Sequence, residues 1–461
     1  MPDDILSNIK RIHFIGIGGS GMCPIAEILL HKGYKLTGSD TNESDTLQRV
    51  RSYGIPVFMG QRPENIGDAQ LVVYSAAIKP ENPELSAARK MGVPTVERSV
   101  MLGALTKKYS NAIAVSGTHG KTTTTAMITQ ILIEAGKDPS AVIGGKLPLI
   151  GSNGRAGKSD TIVCEACEYV DTFLQLYPAV SVILNIDNDH LDYFKTVDNI
   201  IASFHKFALQ TSKVIFVNGD NENAMKAVKG ITNAKIITFG FGKSNDYYAE
   251  NIECAKRARD KFTIIKNGSK KANIILSIPG RHNIYNALAS FSVADYLGIE
   301  TSSIEKSIHS FTGVHRRFEM LGEFGGITVA DDFAHHPTEL AATLTAAKEM
   351  GFSRVWAVFQ PHTYSRTYLL LNDFVKALQI ADKVVLSEIL AVREVNTYNI
   401  YAKDLADKIP GAVWFKTFDE IADYMVKNAE SGDLILTLGG GDIYKCANMI
   451  VDKYKKLTAH A

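Results

Sequence analysis

The sequence predicts an α/β protein of three domains. Its 461 residues are too many for one ordinary core, and apolar runs of strand length alternate with stretches of helical periodicity. Three of these runs lead through a glycine-rich stretch into a helix, which is how α/β domains with parallel sheets are built. We expect boundaries near Lys107 and His315, giving domains of residues 1–107, 108–315 and 316–461.

The composition indicates a globular protein of enzyme size. Hydrophobic residues make up 45% and charged residues 21%, and the net charge of +1 without a basic run argues against nucleic acid as a partner. We find neither a signal-peptide pattern nor an apolar stretch of spanning length, and therefore expect a cytoplasmic protein without membrane insertion. Five cysteines, an odd number, favour free thiols in a reducing compartment.

The first domain opens with a Rossmann-like fingerprint. An apolar run at residues 12–15 is followed by Gly-Ile-Gly-Gly-Ser-Gly and a helical pattern. Glycines at these positions allow backbone amides to approach a diphosphate at the start of the helix. Asp40 follows the second apolar run, where such folds place a ribose ligand, and Ser75 follows the third, although this serine also fits a simple exit from the strand. The fingerprint fits NAD and equally fits any other nucleotide diphosphate. The candidate ligands are Gly16, Gly18, Gly19, Ser20, Gly21, Asp40 and Ser75.

The central domain is organised around a phosphate loop. The apolar run at residues 112–115 predicts a strand, Lys121 begins a helical pattern, and Gly136 is placed to end that helix in a left-handed cap. The first turn of a helix attracts polyphosphate, with the lysine as a mobile cation and a following threonine hydroxyl as a magnesium ligand. Two residues separate the glycines instead of the usual four, so a helix that merely starts at a Gly-Lys-Thr turn is the alternative. The candidate polyphosphate ligands are Gly117, Thr118, His119, Gly120, Lys121, Thr122 and Thr123.

Two further strands of the central sheet end in polar groups. One is followed directly by Glu165, and the other leads through a polar run to His190. Carboxyl ends of parallel strands share one edge, so both side chains are expected near the phosphates held by Lys121. The hypothesis is a magnesium ion bound by Thr122, Glu165 and His190. A carboxylate at the core edge and a capping histidine are the alternatives.

Cys164 and Cys167 form a C-x-x-C pair. No second cysteine pair accompanies it, and the surroundings do not resemble a thioredoxin fold. Both are therefore predicted to be ordinary packed thiols.

Three further segments complete the first two domains. Residues 80–109 predict a helix, a short strand and a connector, and residues 261–276 predict an antiparallel hairpin that decorates the central sheet. A helix is expected to open near residues 279–283 and to run to about Leu297.

The third domain repeats the strand-to-helix pattern. Residues 331–337 follow one predicted strand, with Pro337 as the first helical residue, and the strand at residues 354–359 leads to Arg366. We predict that these two strands are adjacent and present Asp, His and Arg side chains together. A third strand, glycine and helix junction spans residues 434–441.

Taken together, these stretches resemble the Mur ligase family over the length of the chain. The short phosphate loop is normal for that family. The most specific stretches are residues 13–22, 116–125, 185–191, 280–283, 316–318, 331–339 and 359–367.

The resemblance implies a Rossmann-like N-terminal domain that binds the UDP of a sugar nucleotide. It also implies a central P-loop-type ATPase domain with an added antiparallel hairpin region, which binds ATP and Mg²⁺. The Rossmann-like C-terminal domain would bind an amino acid and close on ATP. The implied reaction joins L-alanine to the muramoyl carboxylate of UDP-N-acetylmuramate through an acyl phosphate, releasing ADP and phosphate, in peptidoglycan precursor synthesis for the cell wall.

Alternatives are a ligase for a recycled murein peptide, an NAD-dependent dehydrogenase and a non-enzymatic nucleotide switch. The stretch at residues 359–367 favours the single amino acid.

The resemblance also assigns roles to residues. The implied catalytic residues are Lys121, Glu165, His190, Arg317 and His336. The implied ATP-binding residues are those of the phosphate loop together with His282, Asn283, Arg317 and Asp332. The implied amino-acid ligands are Phe333, which stands where relatives usually have tyrosine, His336 and Arg366.

A physical reason supports the arginine and histidine assignments, and a departure from the family stretch bears on the metal ligand. A guanidinium binds a carboxylate in bidentate fashion, although Arg366 can alternatively form a surface pair with Asp373 or Glu339. Imidazoles have the pKa range needed to leave the amine unprotonated, which suits His335 and His336. The family stretch Glu-Ala-Asp-Glu-Ser reads Glu-Ala-Cys-Glu-Tyr here, which leaves Glu165 as the expected metal ligand.

Overall fold

The computed structural model describes residues 5–253, 260–392 and 394–459. The described chain forms three mainly parallel sheets with helices between their strands, which confirms the predicted α/β class. It divides into two compact units, the first reaching to Phe311 and containing two sheets, the second holding residues from Thr312 onward together with Leu276–Arg281. The domain boundaries near residues 107 and 315 stay predictions.

The first sheet is fully parallel, with strand order β3-β2-β1-β4-β5. β1 is central and its residues from Ile12 to Ile15 are buried, as the apolar run requires. The predicted connector before the central domain is largely helix α4, because its apolar residues Met101, Leu102 and Leu105 recur at helical spacing and are buried. The elements are β1 (Arg11–Ile15), α1 (Cys23–His31), β2 (Lys35–Asp40), α2 (Asp45–Ser52), β3 (Val57–Met59), β4 (Leu71–Tyr74), α3 (Pro83–Lys90), β5 (Thr95–Glu97) and α4 (Arg98–Thr106).

The second sheet has ten strands in the order β15-β14-β13-β12-β11-β10-β6-β9-β7-β8. Its elements are β6 (Asn111–Ser116), α5 (Lys121–Glu134), β7 (Ser140–Leu147), β8 (Ser152–Arg155), β9 (Thr161–Glu165), β10 (Val180–Ile183), α6 (Leu191–Phe194), α7 (Val197–Leu209), β11 (Val214–Asn218), α8 (Glu222–Ala227), β12 (Lys235–Gly240), β13 (Tyr247–Glu253), β14 (Asp260–Lys266), β15 (Ser269–Leu276), α9 (Arg281–Tyr296) and α10 (Thr301–Ser310). β6 lies between β10 and β9, so the phosphate loop emerges beside the ends of both neighbours. The predicted hairpin is β14 and β15, joined by Asn267 and Gly268 at φ 48° and 77°.

The two sheets of the first unit share one apolar core. Buried residues form a continuous cluster from Phe14 on β1 through Met101 on α4 to Ala112 on β6 and Phe207 on α7. Within it, the Phe173 ring stacks on Phe207 with centroids 4.8 Å apart. The first unit is therefore held together by apolar burial across both sheets.

The third sheet has the order β16-β17-β21-β18-β19-β20, with only β16 antiparallel to its neighbour among the described pairs. Its elements are β16 (Glu319–Phe324), β17 (Ile327–Asp332), α11 (Pro337–Glu349), β18 (Val355–Phe359), α12 (Tyr364–Leu369), α13 (Leu371–Leu378), β19 (Lys383–Leu386), α14 (Ala402–Ala406), β20 (Val413–Trp414), α15 (Phe418–Asn428), β21 (Leu434–Leu438) and α16 (Tyr444–Ala459). Pro337 is the first residue of α11, as predicted.

One topological prediction is wrong. β17 and β18 are not adjacent, because β21, the last strand of the chain, lies between them: Leu436 pairs with Ala330 on one side and with Ala357 on the other. Consecutive strands are commonly neighbours in a sheet, but here a strand that begins about 80 residues after β18 lies between them. The loops after β17 and β18 nevertheless meet, as the histidine contacts below show.

Within residues 5–253, 260–392 and 394–459, none of the helices combines the length and apolar character that a bilayer crossing requires.

Candidate functional site

The loop after β6 has the backbone that the sequence predicted. Gly117 and Gly120 have φ of 139° and 86°, and a Cβ added at Gly120 would lie 2.5 Å from Asn286 Oδ1. Only glycine meets both the conformation and the close approach of α9. Helix α5 begins at Lys121, and Gly136 follows its end with φ 70°.

Asn185, which follows β10, fixes the loop in place. Its Oδ1 accepts from the His119 N–H at 2.8 Å, its Nδ2 donates to the His119 carbonyl at 3.1 Å, and its own carbonyl accepts from the Thr118 N–H at 3.0 Å. The Thr118 hydroxyl in turn accepts from the Asp187 N–H at 2.9 Å. The neighbouring strand end therefore holds the loop from outside.

The ammonium of Lys121 is folded back into the loop. Nζ donates to the Gly117 carbonyl at 2.6 Å and the Thr118 carbonyl at 3.1 Å, and it lies 2.9 Å from Glu168 Oε2. Burial alone would lower the pKa of Lys121, but the Glu168 carboxylate, with Cys167 and Glu165 nearby, raises it above its ordinary value. The lysine is therefore held as a cation in this structure.

Glu168 is the carboxylate that reaches the lysine. Its side chain is 3% exposed, and its Oε1 lies 3.1 Å from Lys121 Nζ and 3.9 Å from His190 Nε2. Glu165, the metal ligand expected from the sequence, instead accepts from the Gly144 N–H at 2.7 Å. Geometry therefore favours Glu168 as the acidic group of the site, while the roles of Glu165 and of Thr122, whose side chain is buried, stay predictions.

The start of α9 contacts the same loop. Asn286 Oδ1 accepts from the Thr124 hydroxyl at 3.1 Å, and Asn286 Nδ2 donates to Asn283 Oδ1 at 2.8 Å. Asn283 is buried, whereas the neighbouring His282 is exposed at the first turn. The predicted ATP residues Asn283 and His282 thus lie on a helix whose first turns pack on the phosphate loop.

The glycine-rich loop after β1 is held by β2. The Gly16 and Ile17 N–H groups donate to the Ser39 carbonyl at 2.8 and 3.0 Å, and the Gly18 N–H donates to Asp40 Oδ2 at 2.9 Å. Asp40 Oδ1 also accepts the N–H groups of the next two residues at 2.8 and 3.1 Å. The acidic side chain predicted to bind a ribose is therefore already engaged with three backbone amides.

The loop also contacts the central sheet. Asn153 on β8 donates through Nδ2 to the Ser20 carbonyl, and a Cβ on Gly154 would lie 2.4 Å from the Pro24 side chain of α1. Ser75 lies half-buried at the end of β4, on the same edge as the loop. The predicted diphosphate residues are thus brought to one sheet edge.

In the second unit, the Arg316 side chain connects the end of β17 to the glycine-rich loop after β21. Nε lies 3.1 Å from Asp331 Oδ2, and the two Nη groups donate to the carbonyls of Gly441 and Gly439 at 2.8 and 2.5 Å. The next residue, Arg317, lies with its guanidinium carbon 5.3 Å from the centre of the Phe333 ring. Of these two arginines, Arg316 is the one whose guanidinium donates to the glycine carbonyls, and Arg317 is not bound in this way.

Asp332 ends β17 in a buried position. Its oxygens accept from the N–H groups of Phe318 and Ala334 at 2.7 and 2.8 Å. Burial raises the pKa of Asp332 to about 6, although Arg317 and the two amides act in the opposite direction.

His335, His362 and Arg366 come together beyond the strand ends. The two imidazole rings are 5.7 Å apart, and Arg366 Nη1 lies 3.4 Å from His362 Nδ1. Burial, followed by repulsion from Arg366, lowers the pKa of His362 to about 4, and burial also lowers the pKa of His335. Neither Asp373 nor Glu339 forms an ion pair with Arg366 among the described side chains.

His336, the predicted amino-acid ligand, caps helix α11. Its Nδ1 accepts from the Thr338 N–H at 3.4 Å, and its own N–H donates to Glu339 at 3.2 Å. The neighbouring His335 is the histidine that faces His362. The role of His336 stays a prediction.

The described side chains were compared with the ligand sets that metal ions require. Among the side chains that the structure describes, three or more His, Cys, Asp or Glu groups nowhere come together as a metal site. Cys164 is a buried free thiol as predicted, whereas Cys167 is free but exposed, so the prediction that both are packed is wrong for Cys167. Its position in the turn after β9 leaves the side chain outside the core.

All three parts of the chain match domains of one family. Residues 11–110 match the Mur ligase family catalytic domain, residues 115–294 the Mur ligase middle domain and residues 316–441 the Mur ligase glutamate ligase domain. A UDP-N-acetylmuramate–L-alanine ligase of Caldanaerobacter subterraneus subsp. tengcongensis is 45% identical over 457 residues, which cover 98% of this chain and 99% of that protein. The chain belongs to the Mur ligase family. The resemblance inferred from the sequence motifs is thereby confirmed.

Solved structures agree with this Mur ligase assignment. A UDP-N-acetylmuramate–alanine ligase of Thermotoga maritima has a TM-score of 0.82 at 30% identity, covering 97% of this chain and 99% of that one. A murein peptide ligase of Psychrobacter arcticus 273-4 has a TM-score of 0.72 at 25% identity, covering 96% and 98%. The three-domain α/β fold is that of the Mur ligases.

Motif reasoning missed several residues of this Mur ligase site. Glu168 carried a signal, because it is the second acid of the stretch after β9, but only the fold shows which acid turns towards Lys121. Asn185 lies in a stretch that the sequence did mark, yet its hydrogen bonds to the loop follow from β10 lying beside β6. His362 lay in a marked stretch without an assigned role.

Proposed function

We propose that this chain is the Mur ligase that joins L-alanine to the muramoyl carboxylate of UDP-N-acetylmuramate, using ATP and releasing ADP and phosphate. The observation that carries the proposal is the strand, loop and helix around Lys121, with the cation held at the start of α5 in a chain that matches L-alanine ligases over nearly its whole length. A cytoplasmic location stays a prediction.

The reaction has two balanced steps. A muramoyl carboxylate oxygen attacks the γ-phosphorus of ATP, and the bond between that phosphorus and the β–γ bridging oxygen breaks. ADP departs, and the muramoyl group becomes an acyl phosphate. The amine of alanine then attacks the acyl carbon, phosphate leaves with the former carboxylate oxygen, and the amine proton passes to a base. Phosphoryl transfer of this kind depends mainly on positioning and on neutralising the charge on the transferred group.

Lys121 supplies the positive charge for the first step. Nζ now occupies the space above the loop carbonyls of Gly117 and Thr118, and we infer that polyphosphate oxygens replace these carbonyls as its partners. The first-turn N–H groups of α5 and the positive end of its dipole favour the same anion. The loop and Thr122, Thr123, His282 and Asn283 then form the ATP site.

The donor set beside Lys121 suits Mg²⁺. Magnesium prefers oxygen ligands, and the buried Glu168 carboxylate and the Thr122 hydroxyl are oxygen donors, with Glu165 and His190 as the further predicted ligands. A Glu168 oxygen within reach of both Lys121 and His190 is the observation that supports this fit. When bound, the ion would neutralise charge on the phosphate oxygens.

Arg317 and Asp332 are proposed as ATP-binding residues of the third domain, with Arg317 also stabilising the transferred phosphoryl group. The contrast with Arg316 supports this choice, since Arg316 is committed to Asp331 and two glycine carbonyls. Asp332 accepts a hydrogen bond from the backbone amide of Phe318 and thereby positions the preceding residue, Arg317.

The amino-acid site is proposed around Arg366. A guanidinium beside neutral imidazoles provides the planar donors that a free carboxylate requires. His335 and His362 lie at this arginine, and Phe333 lies beside His335 with ring centroids 5.3 Å apart. His336 keeps its predicted role as a second contact.

The test is a coupled assay of ADP release. Release is expected only when UDP-N-acetylmuramate and L-alanine are both present, and at lower efficiency with glycine or L-serine. Preference for a murein peptide would instead favour the activity named for the Psychrobacter relative, and binding of NADH without ADP release would favour the dehydrogenase. Neither outcome is compatible with the proposal.

A further inference from the structure

The backbone just after Glu168 has an unusual conformation. Val170 and Asp171 have φ of 52° and 56° and ψ of 33° and 24°, which is the left-handed helical region. Residues other than glycine rarely adopt this conformation, and a β-branched residue such as valine is an outlier there. Val170 is also 47% exposed, so burial of its side chain does not offset the strain. Strained backbone of this kind clusters at functional sites, where the surrounding structure holds it in place.

The strained turn is anchored through Asp171. Its Oδ2 accepts from the Tyr193 hydroxyl of α6 at 2.7 Å, and its Oδ1 accepts from the Ser203 hydroxyl of α7. The Asp171 N–H also donates to the Glu168 carbonyl at 2.9 Å, which closes the turn. Two neighbouring helices therefore hold the backbone of this turn in its left-handed conformation.

Tyr169, the residue before the strained pair, lies against His190. The centres of the two rings are 4.7 Å apart and their planes meet at 44°. The Tyr193 ring meets Tyr169 edge-on, with centroids 6.5 Å apart. Tyr169 is still 42% exposed, so it does not belong to the apolar core. The side chain that anchors Asp171 thus also flanks Tyr169, and the four residues form one cluster.

The two carboxylates near His190 are too far away to fix the orientation of its ring. Nε2 lies 3.9 Å from Glu168 Oε1 and 3.7 Å from Asp189 Oδ2, and both distances exceed the length of a hydrogen bond. His190 itself has a left-handed φ of 53°, so its position depends on contacts with its surroundings. The packing of Tyr169 against the imidazole limits how far that ring can turn.

We propose that Tyr169 is a positioning residue that holds the His190 imidazole beside the Glu168 carboxylate. The turn of Val170 and Asp171 directs the Tyr169 ring to this place. This inference rests on the proposed function, in which the imidazole and the carboxylate are donors for Mg²⁺, and adds a residue that acts through the imidazole. Removal of a group that orients a metal-binding histidine commonly changes metal affinity by about 10- to 100-fold.

Titration calorimetry with Mn²⁺ in the presence of ADP tests the proposal, because Mn²⁺ prefers the same oxygen ligands as Mg²⁺. Tyr169→Ser, which introduces the serine of the family stretch, is expected to weaken Mn²⁺ binding about tenfold without lowering the melting temperature. Tyr169→Phe keeps the ring and should bind Mn²⁺ like the parent. Tyr177→Ser is the matched control, since Tyr177 is 40% exposed and its ring contacts Lys107 instead.

Nuclear magnetic resonance of the His190 ring, at fixed pH and without metal or nucleotide, gives a second readout. Tyr169→Ser removes the ring current of the tyrosine, so the His190 ring signals should shift, whereas Tyr169→Phe should keep them near their parent positions. Asp171→Ala releases the turn from Tyr193 and Ser203. This variant should weaken Mn²⁺ binding although Tyr169 is still present.

Mn²⁺ binding by Tyr169→Ser at the parent's affinity would overturn the role of Tyr169 and leave the proposed function intact. A weaker affinity in Tyr169→Ser that comes with a lowered melting temperature and unshifted His190 signals would show a structural role and overturn it too. Parent-like binding by Asp171→Ala would overturn the role of the turn. A parent that binds no Mn²⁺ in the presence of ADP would contradict the proposed function itself.

Discussion

The two glycine-rich loops of the first unit are held in place by different side chains. Each follows a central strand of its sheet, β1 or β6, and each leads into a helix. The first loop is held by a carboxylate, since the Gly18 N–H donates to Asp40. The central loop is held by a carboxamide, since the His119 N–H donates to Asn185.

The source of the cation is the larger difference. In the central loop the cation belongs to the motif, because Lys121 is the first residue of the helix that the loop opens. In the first loop the motif contains no cation, because residues 16–21 include neither lysine nor arginine. A motif therefore predicts the charge of a phosphate site only when the charged residue is part of the motif.

Loss of the cation of the central loop should have the largest effect. Lys121→Ala is expected to lower kcat by about a thousandfold or more, because the charge acts on the transferred phosphoryl group. It also leaves Glu168 buried without its cation, so the variant should lose about 3–5 kcal/mol of stability. The double variant Lys121→Met/Glu168→Gln should regain stability in thermal unfolding but not turnover. Near-normal ADP release by Lys121→Ala would refute the site.

The sequence predicts Glu165 as the acidic group of the site, whereas the geometry favours Glu168. Glu168→Gln is expected to lower kcat by about a hundredfold and to raise the Mg²⁺ concentration needed for half-maximal rate, because Glu168 reaches both Lys121 and His190. Glu165→Gln, the matched control three residues earlier, should lose less because its contact is the Gly144 amide. A larger loss in Glu165→Gln would restore the original prediction.

The proposed amino-acid site depends on Arg366, which lies outside both glycine-rich loops. Arg366→Ala should raise KM for L-alanine well over tenfold, equivalent to about 2–5 kcal/mol, with KM for ATP little changed. Arg366→Lys should recover part of this because a lysine lacks the planar fork. His335→Ala should affect alanine more than His336→Ala, since His336 caps α11. Unchanged alanine kinetics in both arginine variants would contradict the assignment.

The smallest expected effect concerns His362, whose imidazole should not titrate near neutral pH. Burial and the charge of Arg366 lower the pKa of His362 from 6.5 to about 4, so the ring binds its proton only as the pH falls towards 4 and is neutral at pH 7. Nuclear magnetic resonance of the ring should therefore show a midpoint near 4 and no change between pH 6 and pH 8. Arg366→Ala should move the midpoint upward. A parent midpoint near 6.5 would mean that the ring is neither buried nor next to this arginine.

Local patterns predicted most elements but not their neighbours. The strand before Lys121 and the helix after it follow from apolar periodicity and from the left-handed Gly120, which are properties of adjacent residues. The insertion of β21 between β17 and β18 depends on a strand far along the chain, so consecutive order misled the prediction. The same holds at the site, where the packing of separate elements, and not the motif, places Glu168 beside Lys121.

We propose that the two loops hold two different nucleotides. The most direct test is a calorimetric titration of ADP into the protein already saturated with UDP. ADP is expected to bind one site per chain without releasing UDP, and Lys121→Met is expected to weaken the binding of ADP alone. Displacement of UDP by ADP would show a single nucleotide site and would contradict the proposal.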